Sequence, residues 1–371
     1  ADPSSGTVSE LEGAMMLYSS GTTGKPKGVV WPLSGQPAGT TNAMSIFTSL
    51  VEFDARTVYL CPAPLTHAAP IGWSLATQRM GGTVVLMERF DAEQLLAAIE
   101  RHRVTVVQMV PTMFVRLLKL PQDVRDGYDV SSLRHVVHAA APCAPDVKEQ
   151  MIAWWGPIID EYYSGTEGSG ITYLTSPEWI AHRGSVGRPI LGAVHVVDED
   201  GNELPGGEVG AIYFSSGQTY HYHNDEAATA ARRHTAGWTT LDDVGWVDAD
   251  GYLYLTDRRS SIIVTGGVNI APKESEDALI SHPAVLDAAV IGIPHPELGE
   301  VAHAVVQLVD PARASDSLAT ELLEHCRSRL AAYKCPRGLD FVAQLPRQEN
   351  GKLYKTKLRD HYWSGHDTHI I

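Results

Sequence analysis

The chain has 371 residues, too many for one ordinary core and suited to two domains. Its net charge is −15 and no basic run is visible, which argues against nucleic acid as a partner; 44% apolar residues suffice for large buried sheets. Cys61, Cys143, Cys326 and Cys335 are scattered, with no Cys-x-x-Cys pair, so neither a zinc site nor a disulfide framework is expected and the setting reads as reduced and cytoplasmic. No apolar run reaches membrane-spanning length.

The polar start, residues 1–13, is expected to fray, and without an initiator Met or a signal-peptide pattern it reads as the beginning of a fragment. Apolar runs at 14–18 and 29–31 read as strands around the loop Ser-Ser-Gly-Thr-Thr-Gly-Lys-Pro-Lys-Gly, residues 19–28. Gly21, Gly24 and Gly28 let backbone N–H groups approach a ligand closely. Ser19, Ser20, Thr22 and Thr23 add hydroxyl donors, and Lys25 and Lys27 add positive charge. A polyphosphate needs this combination. The loop is not a Walker loop, because Pro26 stands where the second Gly would be. The plainer alternative is a flexible surface turn, which Pro26 stiffens against.

A helix is expected at 41–50, strands at 57–61 and 83–87, and a helix at 91–102 with Asp91 at its start. Residues 104–110 form a continuous apolar run typical of a buried strand. Helix 111–120, strand 134–139, helix 146–155 and strand 158–163 continue the alternation, which implies a layered α/β domain with much parallel sheet. From Gly192 the texture turns to β-hairpins, 193–197 and 208–214, around Asp200-Gly201-Asn202, with a second turn at Asp250-Gly251. The polar run 257–261 reads as a linker. Beyond it lie a helix at 273–281, strands at 285–291 and 302–309, a helix at 315–332 and a strand at 339–342. We therefore expect a large domain over 1–256, β-rich from 192 to 256, and a small α+β domain over 257–371.

Three further stretches carry chemistry. In Glu161-Tyr-Tyr-Ser-Gly-Thr-Glu167, Tyr163 can stack on a planar base, Thr166 offers a hydroxyl, and Glu167 offers a carboxylate for Mg²⁺; the bland alternative is a capped turn. In Gly237-Trp-Thr-Thr-Leu-Asp-Asp-Val-Gly245, Asp243 can accept two hydrogen bonds from a ribose diol, or can simply close a β-turn. Asn350-Gly351 makes a tight turn that presents Lys352, which is either a solvated tip or a reagent brought over the large domain.

In this order and spacing, the four stretches resemble the adenylate-forming superfamily: acyl-CoA and aryl-CoA synthetases, amino-acid-activating adenylation domains and luciferase-type enzymes. The resemblance covers essentially the whole chain. It implies an α/β fold: a large layered AMP-binding domain, incomplete at its N-terminus, plus a small α+β C-terminal lid. It also implies two steps. A carboxylate attacks the α-phosphate of Mg·ATP; then the lid swings and a thiol displaces AMP to give a thioester. ATP, Mg²⁺ and CoA are the implied cofactor and co-substrates.

Residue by residue, the resemblance assigns Ser19, Ser20, Gly21, Thr22, Thr23, Gly24 and Lys27 to the β- and γ-phosphates. Ala140, Ala141 and Pro142 lie on one face of adenine and Tyr163 on the other, with Glu161 and Tyr162 alongside. Thr166 reaches the α-phosphate, Glu167 holds Mg²⁺, and Asp243 and Arg258 bind the ribose. Lys352 bridges the carboxylate and the α-phosphate in the first step. Gly266, Gly267 and Asn269 belong to the face where CoA enters in the second. His67 and Trp73 belong to the acyl pocket, His67 having a satisfied core histidine as its bland alternative, and Ser260 marks the hinge. Four positions depart from the family pattern: Ser164 and Asp242 replace glycines, Ser260 replaces a charged hinge residue, and Ser275 interrupts a Glu-apolar-Glu run. Family members also carry well over a hundred residues ahead of the glycine-rich loop, so we expect that layer to be removed, unobserved or supplied by another chain.

The expected function is an ATP-dependent acyl-CoA synthetase acting on an apolar acid: a fatty, alicyclic, steroid side-chain or aromatic acid. Ala68, Ala69, Ile71 and Trp73 near the pocket favour it. The alternatives are a domain that loads a carrier protein and a non-catalytic nucleotide-binding module. Expected partners are small molecules only, with no nucleic acid and no membrane span, and a homodimer is open.

Overall fold

A computed structural model describes residues 10–19, 27–40, 43–217, 219–258, 261–347 and 353–364. In chain order, β1 (Leu17–Ser19) and β2 (Lys27–Val30) precede α1 (Ala43–Leu50), β3 (Val58–Cys61), α2 (Ala68–Arg79) and β4 (Thr83–Leu86). Then come α3 (Ala92–His102), β5 (Val106–Met109), α4 (Pro111–Leu118), α5 (Gln122–Asp126), β6 (His135–His138) and α6 (Pro145–Trp155). β7 (Ile159–Tyr163), β8 (Ile171–Leu174), α7 (Ser176–Ala181) and β9 (Arg188–Leu191) follow. Together β3–β9 make a seven-stranded sheet in the order β4-β3-β5-β6-β7-β8-β9. It is parallel from β4 to β7 and antiparallel across β7-β8 and β8-β9.

The two-residue period of each strand sorts its side chains between two cores. Leu60, Val107, Val136 and Ile159 face α3, α4 and α6, among Leu95, Phe114 and Met151. Tyr59, Val106, Val137 and Tyr162 face α1 and α2, among Phe47 and Trp73. The strand order reverses between β3 and β5, and a sheet of this type opens a crevice for ligands at such a point, beyond the carboxyl ends of its strands.

β10 (Val194–Val197), β11 (Gly210–Phe214), β12 (His221–Tyr222), α8 (Glu226–Ala230), β13 (Thr239–Val247) and β14 (Leu253–Arg258) come next. β10, β11, β13 and β14 form an antiparallel sheet, while β12 joins β1 and β2. The C-terminal part contains β15 (Ile263–Thr265), β16 (Val268–Ile270), α9 (Pro272–Ile280), β17 (Val285–His295), β18 (Gly299–Leu308), α10 (Asp316–Arg327), β19 (Gly338–Val342) and α11 (Lys355–Trp363). Its five strands pack α9 and α10 through Leu279, Val290, Val306 and Leu322, and pack α11 through Leu358 and Tyr362 against Ile291 and Val305.

The structure corrects four expectations. Asp257 and Arg258 finish β14 rather than opening a linker, because they pair with Val244 and Asp243. The helix expected to run to residue 332 stops at Arg327. α2 occupies a stretch read only for its apolar residues; Pro70 and Gly72 hide its helical signal. Gly28 belongs to β2 rather than to the loop, and a Cβ there would lie 2.5 Å from the Met16 side chain. Among the described residues no helix is long and apolar enough to cross a membrane.

Candidate active site

A cleft opens beyond the carboxyl ends of β5, β6 and β7, with the C-terminal part on its other wall. Gln108, Ala140 and Thr166 line one side; Lys273, Arg347 and Leu353 line the other. Hydrogen bonds join the two parts: Lys119 Nζ donates to the carbonyls of His282 and Pro283, each at 3.3 Å, and the Lys273 N–H donates to Asp257 Oδ2 at 3.2 Å.

The ends of the glycine-rich loop are held together, since β1 and β2 pair antiparallel with Ser19 opposite Lys27. Ser20, Gly21, Thr22, Thr23, Gly24 and Lys25 lie outside the described residues. Lys27 Nζ is 3.9 Å from Asp225 and sits 5.1 Å from the centroid of the Tyr222 ring.

Next to it stands Glu167. Trp31 Nε1 donates to its carbonyl at 3.0 Å, and the Tyr222 hydroxyl donates to its carboxylate at 2.8 Å. Burial, then the Glu167 charge, pushes the Tyr222 hydroxyl far above its usual pKa, so it stays a donor at neutral pH. Tyr222 was missed in the sequence; its two-residue strand carries no local signal beyond an aromatic alternation, Tyr220-His-Tyr222. Thr166 lines the cleft one residue before Glu167.

Asp243 is 8% exposed and accepts a hydrogen bond from the Tyr163 hydroxyl at 2.6 Å. Tyr163 leans on Phe214, ring centroids 6.0 Å apart. The two sequence stretches read separately for base and ribose thus form one unit. Removing the hydroxyl in Tyr163→Phe breaks this hydrogen bond and is expected to cost about 1 kcal/mol of stability, which denaturant titration reads. Arg258 pairs with Asp243 through the backbone of β14 and β13.

Ala140, Ala141 and Pro142 line the cleft, and Ala140 takes the left-handed conformation, φ 73°, to turn the chain off β6. The Glu161 and Tyr162 side chains have partners of their own inside the protein. Glu161 is 5% exposed, with its carboxylate 2.7 Å from Lys148 Nζ and 3.3 Å from His138 Nε2, so it is spent inside the protein. Burial raises the Glu161 pKa, and His138 and Lys148 lower it by more, to about 2. Burial pushes the His138 imidazole down, leaving Lys148 as the charged partner at neutral pH. Tyr162 points to the opposite face and packs on Phe47, ring centroids 4.7 Å apart. Both residues nevertheless border the cleft.

Trp73 is 1% exposed and lies among Phe47, Phe53 and Tyr59, so it serves mainly as core under the cleft. His67 caps the start of α2 with no side-chain cap bond and borders the cleft beside Ala68 and Ala69. Ser260 and Lys352 lie outside the described residues; Arg347 and Leu353, which flank Lys352, bridge to each other and both line the cleft. Gly266 and Gly267 form the β15–β16 turn with φ of 54° and 82°, and with Asn269 they are exposed rather than set in the cleft wall. Two departures find structural partners: Ser164 donates to Gly170 O at 2.8 Å, and buried Ser275 donates to Lys334 O at 2.7 Å.

A layered α/β part and a smaller C-terminal part thus border one cleft beyond the carboxyl ends of the parallel strands, where sheets of this type place their ligands. The family model for AMP-binding enzymes matches residues 3–221, and that for the AMP-binding enzyme C-terminal domain matches 274–352. A feruloyl-CoA synthase of Amycolatopsis sp is 34% identical over 347 residues, 93% of this chain and 69% of the relative. A medium/long-chain-fatty-acid–CoA ligase of Mycobacterium tuberculosis is 33% identical over 361 residues, 94% of this chain and 61% of the relative. The solved o-succinylbenzoate CoA synthetase of Bacillus subtilis, in complex with its acyl-adenylate intermediate, superposes with a TM-score of 0.75 at 31% identity, covering 93% of this chain and 68% of that one. The chain belongs to the AMP-binding enzyme family of the adenylate-forming superfamily. It is an AMP-forming acid–CoA ligase, with ATP and CoA as co-substrates.

Proposed function

We propose that the enzyme activates an apolar carboxylic acid, fatty or aromatic, as its adenylate and passes the acyl group to free CoA. The observation that carries this is the small, uncharged lining of the cleft along α2 and α4: Ala68, Ala69, Gly72, Val110 and Val115. A second anionic group on the acid would need a cation there; Arg79, at the far end of α2, is held by Glu12 at 2.6 Å.

In this reading the loop 19–27 grips the β- and γ-phosphates, and Ala140–Pro142 and Tyr163 sandwich adenine. Asp243 and Arg258 bind the ribose, and Thr166 contacts the α-phosphate. Glu167 fits Mg²⁺: one carboxylate, steadied by the Tyr222 hydroxyl, beside a polyphosphate is a typical oxygen donor set for that ion. Bound there, the ion would neutralise phosphate charge. Lys352 meets the charge that develops as the carboxylate attacks, and His67 borders the acyl chain. The chain beyond Ser260 moves as a lid about that residue, which brings Gly266, Gly267 and Asn269 to the CoA channel for the second step.

AMP release across a panel of acids tests the proposal. Cinnamic-type and medium-chain fatty acids with CoA should give turnover at least about 10-fold above dicarboxylic acids or amino acids. Preference for a dicarboxylic acid, or turnover that requires a carrier protein in place of CoA, would contradict it.

A further inference from the structure

Asp242 replaces the family's glycine and puts a second carboxylate beside Asp243. It holds a left-handed backbone, φ 74°, which an L side chain keeps only when its surroundings enforce it. The enforcement comes from Arg232. Its Nη1 lies 3.3 Å from Asp242 Oδ1. Its carbonyl accepts from the Thr240 N–H at 3.1 Å, and the Thr240 hydroxyl accepts from the Asp242 N–H at 2.9 Å. That hydroxyl also donates to Ile212 O at 2.7 Å, so the cradle is pinned to β11.

Neutralising Asp242 explains only part of this arrangement. The Arg232 side chain is 18% exposed, lines the nucleotide cleft and stands within the electrostatic reach of Tyr222 and Glu167. A guanidinium has five N–H donors in a fixed fork, and one contact to a single carboxylate oxygen engages few of them. A fork held at both backbone and head, beside the metal-type carboxylate, suits phosphate oxygens better than a lysine on a flexible stem.

We propose that Arg232, oriented by Asp242, binds the nucleotide's polyphosphate and acts as a second phosphate clamp, separate from the glycine-rich loop. This rests on the site reading given above. It makes the Gly-to-Asp exchange at 242 part of a pair that discriminates the triphosphate from the monophosphate product.

Calorimetric titration of the intact protein with Mg·α,β-methylene-ATP and, separately, with AMP tests it. Arg232→Ala should weaken the triphosphate analogue about 10-fold or more and AMP less than about 2-fold, one charge-assisted contact being lost. Arg232→Lys, which keeps the charge and protects the fold, should recover part of the loss. Asp242→Asn should give an intermediate loss that is not added to that of Arg232→Ala in the double variant. Equal weakening of both ligands, or unchanged binding of the analogue, would overturn the assignment. A wild-type protein that binds AMP but shows no analogue discrimination overturns the clamp alone, whereas one that binds neither overturns the site reading with it.

Discussion

Replacing Lys352 with alanine is expected to slow adenylate formation by about 10²–10³-fold, the usual cost of removing one group aimed at charge developing in a transition state. Conversion of a preformed acyl-adenylate by CoA should keep its rate within about 2-fold, because the lysine has no part in that step. The asymmetry follows from the roles proposed for the two faces of the C-terminal part. Arg347 and Leu353 bracket the lysine and line the cleft, while Gly266, Gly267 and Asn269 stand outside its wall. Equal loss of both half-reactions would make Lys352 a structural residue instead. Single-turnover assays of each half-reaction separate the outcomes.

The largest effect on stability is expected at Lys148. It is fully buried, 2.7 Å from Glu161, and stands 5.2 Å from the Trp179 ring centroid. Lys148→Met leaves an uncompensated carboxylate inside the domain, at a cost of about 3–5 kcal/mol. Adding Glu161→Gln should restore much of that, since it is the orphaned charge rather than the lost pair that costs. Denaturant titration reads both variants. A loss below about 1 kcal/mol in the single variant would show that the pair is not buried as described.

The buried Glu161, with His138 and Lys148 beside it, also sets an acid limit. Glu161 has a folded pKa of about 2 against an ordinary 4.5, so its folded form binds fewer protons than its unfolded form between those values. The stabilisation is therefore complete above about pH 4.5 and is lost as pH falls towards 2.

Much of this was legible in the sequence for a stated reason. The α/β alternation from 57 to 163 is a matter of apolar period, and the structure sorts those strands onto two cores by that period. α2 was not legible, because Pro70 and Gly72 contradict helix propensity and the helix is held by packing Trp73 into an aromatic cluster. Asp257 and Arg258 looked like linker because they are polar, yet cross-strand pairing with β13 decides their state. In the site, residues inside motifs were readable one by one, but not their partnerships. That Tyr163 donates to Asp243, that Tyr222 steadies Glu167 and that Arg232 answers Asp242 are contacts across 80, 55 and 10 positions of chain. The Glu161 ion pair was illegible for the same reason: its partner Lys148 sits on the preceding helix, where spacing alone does not reveal a buried pair.

The central claim is that two parts of one chain close on a single nucleotide and that the C-terminal part supplies the lysine for acid activation. Exchange of labelled pyrophosphate into ATP measures this most directly. We predict exchange by the wild-type protein only when a carboxylic acid is present, and exchange near background for Lys352→Ala. Exchange that proceeds without acid, or that survives the substitution undiminished, would contradict the account.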